Sequence, residues 1–450
     1  MDVQEEHDAP GPRRVLVTQW QLREFTGSEM VTLELVEHLA RRGAQVTVVT
    51  HQHGAPVADL ACEAGDVEIW STTDPGLDAH LRANPPDLAW LQHQIVPDTV
   101  LTGAIDVPVV FHHMSAVQPL ELPLVPGVEA ALATLSTFNS AETLERLRDD
   151  GFLGELDPAR LRLFANPAPD AMDLVRRRGR GGGPLRLLVV SNHLPDELAR
   201  ALDLLPPGVE VVRVGAQARH GAAPVRVDPE LLSEVDGIVT IGKTVQYALA
   251  ACLPVYCYDR FGGPGWLDPD NLAVARHHNF SGRGFGSRSA DVLARDLVDG
   301  YEAALGHVEA LRAACDHGLL LGPAFDELWE ACRARPRTRH VPDASAVAAQ
   351  RAVAELGRRW GILMARSQRH AARAARHAAD ATEARARAAR ERRRQQDRVG
   401  DLETRLREAA RELRSLERSQ QRRIMRAARA VERVVDTVGP RRRRRPGRTA

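Results

Sequence analysis

Short runs of β-branched and aliphatic residues alternate with helical patterns along this chain, and that alternation restricts the fold more than any other feature. RRVLVTQ (13–19) reads as a buried strand. FTGSEMVTLELVEHLARRG (25–43) follows, with Met30, Leu33, Leu35, Val36 and Leu39 at roughly helical spacing and Gly43 closing the pattern. AQVTVVTH, VEIWS, DLAWLQH and VPVVFHHMS supply further strands. ALATLSTFNSAETLERLRDDG reads as a strand and then a helix N-capped by Ser140. Strand, helix and strand in succession indicate a parallel sheet with crossover helices.

After RLRLFANPAPDAM, the Arg/Gly stretch RRRGRGGG (176–183) reads as a linker. The pattern then restarts at LRLLVVSNHLPDELARALDLL. VEVVRVG, DGIVTIG and LPVYCYD continue as strands, with TVQYALAA as the helix between the last two. FGGPGW (261–266) reads as an aromatic, glycine-rich loop, and SADVLARDLVDGYEAAL and PAFDELWEACRA as helices. The expected fold class is α/β: two Rossmann-like domains, 13–175 and 184–335, behind a disordered leader, 1–12. A chain of 450 residues suits two or three domains.

From 344 the composition changes, and Ala, Arg, Glu and Gln dominate to Gly439. Val399, Leu402, Leu406, Ala409, Leu413 and Leu416 recur at spacings of three and four, the seam of a coiled coil. Val353, Leu356, Trp360 and Leu363 form a shorter one. Gln420 and Arg423 break the register, and Gly400 is a candidate interruption. The expectation is an Arg-rich helical coiled coil over 344–438 and a disordered basic tail, 439–450. Residues 333–450 hold 34 arginines against 13 Asp and Glu, a charge of +21, so residues 1–332 carry −21 and the formal zero is a cancellation. Such asymmetry points to an anionic partner for the tail: a membrane surface, a nucleic acid or the acidic body. Aromatic side chains for base stacking are absent from the tail apart from Trp360, which argues against nucleic acid. Self-association through the coiled coil and contact with an anionic membrane are the expected alternatives.

Five scattered cysteines without a C-x-x-C pair argue against a zinc site or a disulfide framework, and no metal site is expected. The polar leader has no signal h-region, and no run approaches the ~18 apolar residues of a membrane span. The expected location is cytoplasmic, with peripheral contact at the inner face of the cell membrane open.

GIVTIGKT (237–244) satisfies the phosphate-loop pattern G-x-x-x-x-G-K-[ST] and contains Lys243, the only lysine of the chain. A phosphate loop must curl so that its amides face the phosphates. Ile238, Val239, Thr240 and Ile241 are all β-branched and resist that curl. Strand GIVTI, a turn and a helix from near Thr244 is the better reading. That arrangement still leaves Lys243 and free amides at a helix N-terminus, where anions are held. LPVYCYD ends in Asp259, which could imitate a magnesium-binding strand and keeps a P-loop ATPase among the alternatives.

In order, these motifs resemble the nucleotide-sugar glycosyltransferases of GT-B fold, particularly the large retaining group that acts on polysaccharides and glycolipids. TGSEMVTLELVEHLARRGAQVTVVTH is similar to that group's glycine loop, helix and second strand; VPVVFHHMS to its strand ending in a histidine near the donor sugar. LSTFNSAETLERLRDDG with LFANPAPD resembles its approach to the interdomain crossing, and VQYALAACLPVYCYDRFGG its helix–strand–Gly-Gly donor element. The resemblance covers roughly 13–330. It implies a hexosyltransferase that takes a nucleotide-sugar substrate, needs neither metal nor cofactor, and transfers to a glycan or lipid-linked acceptor. The family's paired glutamates are replaced by Val239 and Tyr247, and its Arg and Lys for the diphosphate are missing after Ser191-Asn192-His193.

The resemblance implies His112 as sugar contact; with the family's Arg and Lys missing, Lys243, with Arg260, is expected to supply the charge that neutralises the leaving diphosphate. The resemblance also implies donor contacts from Gly27, Ser28, Glu29, Ser191, Asn192, Thr244, Tyr247, Asp259, Gly262 and Gly263. His112 and His113 end a strand, so one is expected to face the cleft and the other to point away. The rival reading is a catalytically degenerate scaffold whose coiled coil is the functional part.

Overall fold

The computed structural model describes residues 11–154, 156–175, 183–215, 222–335 and 340–438. Apart from residues 11, 12 and 183, the leader, the linker 176–183 and the tail 439–450 lie outside the described residues. The chain forms two compact units, Met1–Met364 and Ala365–Ala450.

The first unit holds two sheets. One consists of β1 (Arg14–Leu22), β2 (Gln45–His53), β3 (Val67–Ser71), β4 (Leu88–Leu91), β5 (Val109–His113), β6 (Leu135–Phe138) and β7 (Leu161–Leu163). They run parallel in the order β3-β2-β1-β4-β5-β6-β7. β1 and β4 are central and covered on both faces, which is why Val15, Leu16, Val17 and Leu88–Leu91 are apolar without alternation. The second sheet consists of β8 (Leu185–Val190), β9 (Val209–Val214), β10 (Gly237–Thr240), β11 (Val255–Asp259) and β12 (Gly262–Trp266), in the order β12-β11-β10-β8-β9.

The expectation of a loop is corrected at β12. FGGPGW is an edge strand antiparallel to β11, with Tyr256 opposite Trp266, and Trp266 is buried against Tyr256 and Tyr301. The glycines serve that pairing. A Cβ on Gly263 would lie 2.1 Å from the Cys257 carbonyl oxygen, and one on Gly262, at φ +108°, 2.4 Å from that of Gly286. They let backbone meet backbone.

PAFDELWEACRA also packs differently from its place in the sequence. The helix Leu321–Arg333 returns to the first domain, where Leu321, Phe325, Leu328 and Trp329 join the core around Trp90 and Phe164. The two crossings between domains run side by side, since the Ala168 amide donates to Leu319 and the Leu321 amide to Ala168, each at 2.8 Å. The second domain therefore ends before 321 rather than at 335.

A single helix, Ala344–Val438, is the last described element and passes through Gly400 without interruption. Its first turns belong to the first domain. Gln350 donates to the Gln94 carbonyl at 2.8 Å, Arg351 forks onto Asp98, and Trp20 Nε1 donates to the Gly357 carbonyl. This seam crosses the carboxyl ends of β1, β2 and β4. A Cβ on Gly361 would lie 2.9 Å from Gln52 Nε2, so close approach explains a glycine inside a helix. Among the described residues no helix is long and apolar enough to cross a membrane.

Candidate active site

A cleft of about 600 Å³ opens between the carboxyl ends of the two sheets. Its first wall comes from the loop after β1 (Thr26, Gly27, Ser28), the loop after β5 (Met114–Gln118) and Asn139 after β6. The opposite wall comes from the turns after β8 (Ser191, Asn192, His193), β10 (Ile241–Thr244) and β11 (Arg260, Phe261). Ligands of open α/β sheets gather at such edges, where strands end and helices begin. β10 is extended, and Gly242, at φ +61°, turns the chain into the helix Lys243–Ala250. The extended backbone at 238–240 cannot form a phosphate nest, so the phosphate-loop match is one of sequence only.

Of the residues singled out in the sequence, Gly27, Ser28, Ser191, Asn192, Lys243, Thr244, Tyr247, Asp259 and Arg260 line the cleft. Glu29, His112, Gly262 and Gly263 do not. Glu29 is fully buried and binds its own loop: it accepts from the amides of Arg23 and Glu24, from Gln21 Nε2 at 2.8 Å and from Thr26 Oγ1 at 3.0 Å. Burial raises its pKa against those hydrogen bonds. Thr26-x-x-Glu29 has the sequence pattern of a capping box, but Thr26 makes no side-chain cap, and Glu29 instead ties down the 23–24 amides.

His112 is buried, with both ring nitrogens engaged. Nε2 lies 2.9 Å from Asn166 Oδ1 and Nδ1 2.8 Å from the Thr137 hydroxyl, which itself donates to the Phe111 carbonyl. The ring lies against Trp90 and Phe164, and burial pushes its pKa down to about 4. His113 points the other way, stacks on Phe138 and donates to Glu129 Oε1 at 2.9 Å. Burial works against its imidazolium, but the Glu129 carboxylate outweighs it and the pKa is raised. Strand alternation separates the two rings, yet neither reaches the cleft. Asn166 does, held by His112 in a left-handed conformation at φ +52°.

Lys243 occupies a different position from that of a solvated phosphate ligand. Its side chain is 7% exposed; the ammonium lies 2.6 Å from Glu34 Oε2 and donates to the carbonyl oxygens of Pro167 (3.0 Å) and Asn166 (3.4 Å). The Tyr247 hydroxyl donates to Glu34 Oε1. Burial raises the Glu34 pKa, opposed by Lys243, and holds the Tyr247 hydroxyl well above its ordinary range. Tyr247 therefore faces a carboxylate of the first domain.

Two arginine–carboxylate pairs also span the domains. Arg226 forks onto Glu37 at 2.6 and 2.7 Å, and Arg283 onto Glu142 at 2.8–2.9 Å, with His278 Nδ1 3.2 Å from the same carboxylate. Arg283 and His278 lower the Glu142 pKa, against its burial. Glu34, Glu37, Glu142, Arg226 and Arg283 were all missed in the sequence. Only Glu34 left a signal there, as a carboxylate between Leu33 and Leu35 on an otherwise apolar helix. Among the described residues, Arg260 has no carboxylate partner; its guanidinium lies 4.7 Å from the Phe261 ring, at the cleft wall.

No family model matches the sequence, and no curated protein matches it. Solved structures do match. One is Anabaena Alr3699/HepE in complex with UDP, 15% identical, with a TM-score of 0.50 over 72% of this chain and 100% of that one. A structure of the same protein with UDP and glucose aligns at 16% identity and TM-score 0.49, over 71% and 99%. A glycosyltransferase from Rickettsia africae ESF-5 aligns at 10% and 0.47, over 72% and 99%. The first of these, with the paired sheets and the cleft between them, shows the class: this chain has the GT-B fold of glycosyltransferases. A long C-terminal helix is added to it.

Proposed function

We propose that the chain is a glycosyltransferase, of retaining hexosyl type, that moves a sugar from a nucleoside-diphosphate donor to a glycan or lipid-linked acceptor without a metal ion. The observation that carries this reading is the cleft itself, bounded by the carboxyl ends of two Rossmann-like sheets and presenting Arg260, a cation without a carboxylate partner among the described residues. HepE, which shares the fold, was crystallised with UDP. Ser191, Asn192, Thr244 and Asp259 would surround the donor on the second-domain side.

The diphosphate leaving group needs positive charge where it departs. Arg260 would supply it, with the Lys243 and Thr244 amides at the start of the helix Lys243–Ala250. Lys243 itself, committed to Glu34, would hold the Asn166–Pro167 crossing and through it the cleft-facing Asn166. Tyr247, bonded to Glu34, would help that latch rather than contact a ribose.

Calorimetric titration with UDP, GDP, dTDP and ATP, each in EDTA and in magnesium, tests the proposal. Metal-independent binding of one diphosphate, weakened about tenfold in Arg260→Ala, would support it and name the base. Binding of ATP only with magnesium would favour a triphosphatase. No binding of any nucleotide would favour a non-catalytic scaffold.

A further inference from the structure

The second unit of the chain poses a physical problem that transferase chemistry does not answer. Its helix carries charge on almost every face, and a helix polar all round needs either many i,i+4 pairs or a partner. Pairs such as Glu383–Arg387 (2.6 Å) and Asp401–Arg405 (3.2 Å) are worth only a few tenths of a kcal/mol each at exposed sites. Against that charge stands an apolar stripe. Leu402, Leu406, Leu413 and Leu416 are 58%, 73%, 61% and 66% exposed. Four leucines in two heptads, left in water at the same angular position, form an unpartnered seam.

The break at Gln420 and Arg423 resolves when the seam is followed further. With Val399, Leu406 and Leu413 at a, and Leu402, Ala409 and Leu416 at d, Gln420 falls at the next a. Ile424 then lies eleven residues after Leu413, and Ala427 and Val431 continue from it in heptad spacing. An insertion of four residues is a stutter, which unwinds a supercoil locally without ending it. Arg423 then flanks the seam instead of lying in it.

We infer that this helix pairs with a second copy of the chain as a parallel, in-register, two-stranded coiled coil over residues 399–431. Three observations select that partner and orientation. Three of the five apolar a positions are β-branched (Val399, Ile424, Val431, beside Leu406 and Leu413), and d holds Leu402 and Leu416 with Ala409 and Ala427; β-branched a with leucine at d favours two parallel strands. In parallel register Gln420 meets its own copy, and an amide can both donate and accept. The antiparallel alignment that covers the same seam puts Gln420 opposite Ala409 and leaves that amide unpaired. Flanking charges agree: parallel pairing sets Arg398 beside the other copy's Glu403, which offsets the Glu412–Glu417 repulsion. The antiparallel alignment sets Arg405 beside Arg423 with no such compensation.

Full-length protein carries the test, with Cys62→Ser in every variant because Cys62 is exposed. Light scattering at micromolar concentration should give twice the 49.4 kDa chain mass, falling to 49.4 kDa in Leu406→Glu/Leu413→Glu. Under mild oxidation Leu406→Cys should form a covalent dimer and Arg407→Cys, which points away from the seam, should not. Gln420→Leu should raise the helix melting temperature and admit higher oligomers, as loss of a register-setting polar residue does. A monomeric unaltered chain would overturn the inference. Cross-linking of Leu406→Cys only with a second chain carrying Ile424→Cys would overturn the parallel orientation.

Discussion

The two domains are held together by opposite charges. The first domain contributes carboxylates, Glu34, Glu37 and Glu142, and the second contributes Lys243, Arg226 and Arg283. All three pairs run in that direction, so the second domain's cations are largely spent on holding the first. Arg260 is the cation of the second domain's cleft wall left without a carboxylate among the described residues. A cation at a cleft is thus not a ligand-binding group by default. Its partner decides, and the partner sits in another domain.

Breaking the most deeply buried pair should cost most. Glu34→Ala leaves the Lys243 ammonium uncompensated and is expected to destabilise by about 3–5 kcal/mol, read as a lower denaturation midpoint. Adding Lys243→Met in the same chain should recover much of that loss, since the buried charge goes with it. If the double variant were as unstable as Glu34→Ala, the pair would not be the cause.

Acid sharpens a second contrast, between the rings of His112 and His113. The His112 pKa, about 4 when folded, lies below its unfolded value of ~6.5, so the unfolded chain takes up the proton first and stability falls as pH drops from 6.5 towards 4. Between pH 7 and 5 this amounts to ~2 kcal/mol. His51, also lowered to about 4, acts in the same direction. His113 acts oppositely: its raised pKa adds stability that is complete below the unfolded value and lost as pH rises through the folded one. Chemical denaturation at the two pH values should therefore show a shallower acid loss in His112→Asn than in the unaltered chain. Equal losses would mean that His112 is not held neutral.

Arg260→Ala should leave stability unchanged and weaken diphosphate binding about tenfold, or ~1.4 kcal/mol, in calorimetry. Lys243→Met should do the reverse, losing more stability than affinity, and the opposite ranking would return the phosphate role to the lysine. The smallest effect belongs to the exposed Arg351–Asp98 fork: Arg351→Ala should lower stability by ~0.2–1 kcal/mol, measurable as a small shift in thermal midpoint that vanishes at high salt.

Much of the fold was legible because burial on both faces of a parallel sheet writes continuous apolar runs. LPVYCYD holds β11, buried at every position, and the Ser140 cap forms as expected, its hydroxyl accepting from the Thr143 amide at 3.2 Å. β12 was not legible, since GGPGW carries no strand pattern and pairs only because its glycines let two backbones meet. Nor was the return of Leu321–Arg333 to the first domain: an apolar helical face states that it will be buried, without saying against what.

The sequence by itself determined the parallel α/β order, the turns that line the cleft and the heptad stripe of the tail, because each follows from the spacing of side chains along one element. Only the tertiary structure decided which ionisable groups are free. His112, Glu29 and Lys243 have the chemistry of a site, and each is occupied by a neighbour brought from 3 to 209 residues away: Thr26 for Glu29, Asn166 for His112, Glu34 for Lys243. Electrostatic and hydrogen-bonding partners act over a few ångströms in space, and no spacing along the chain records them.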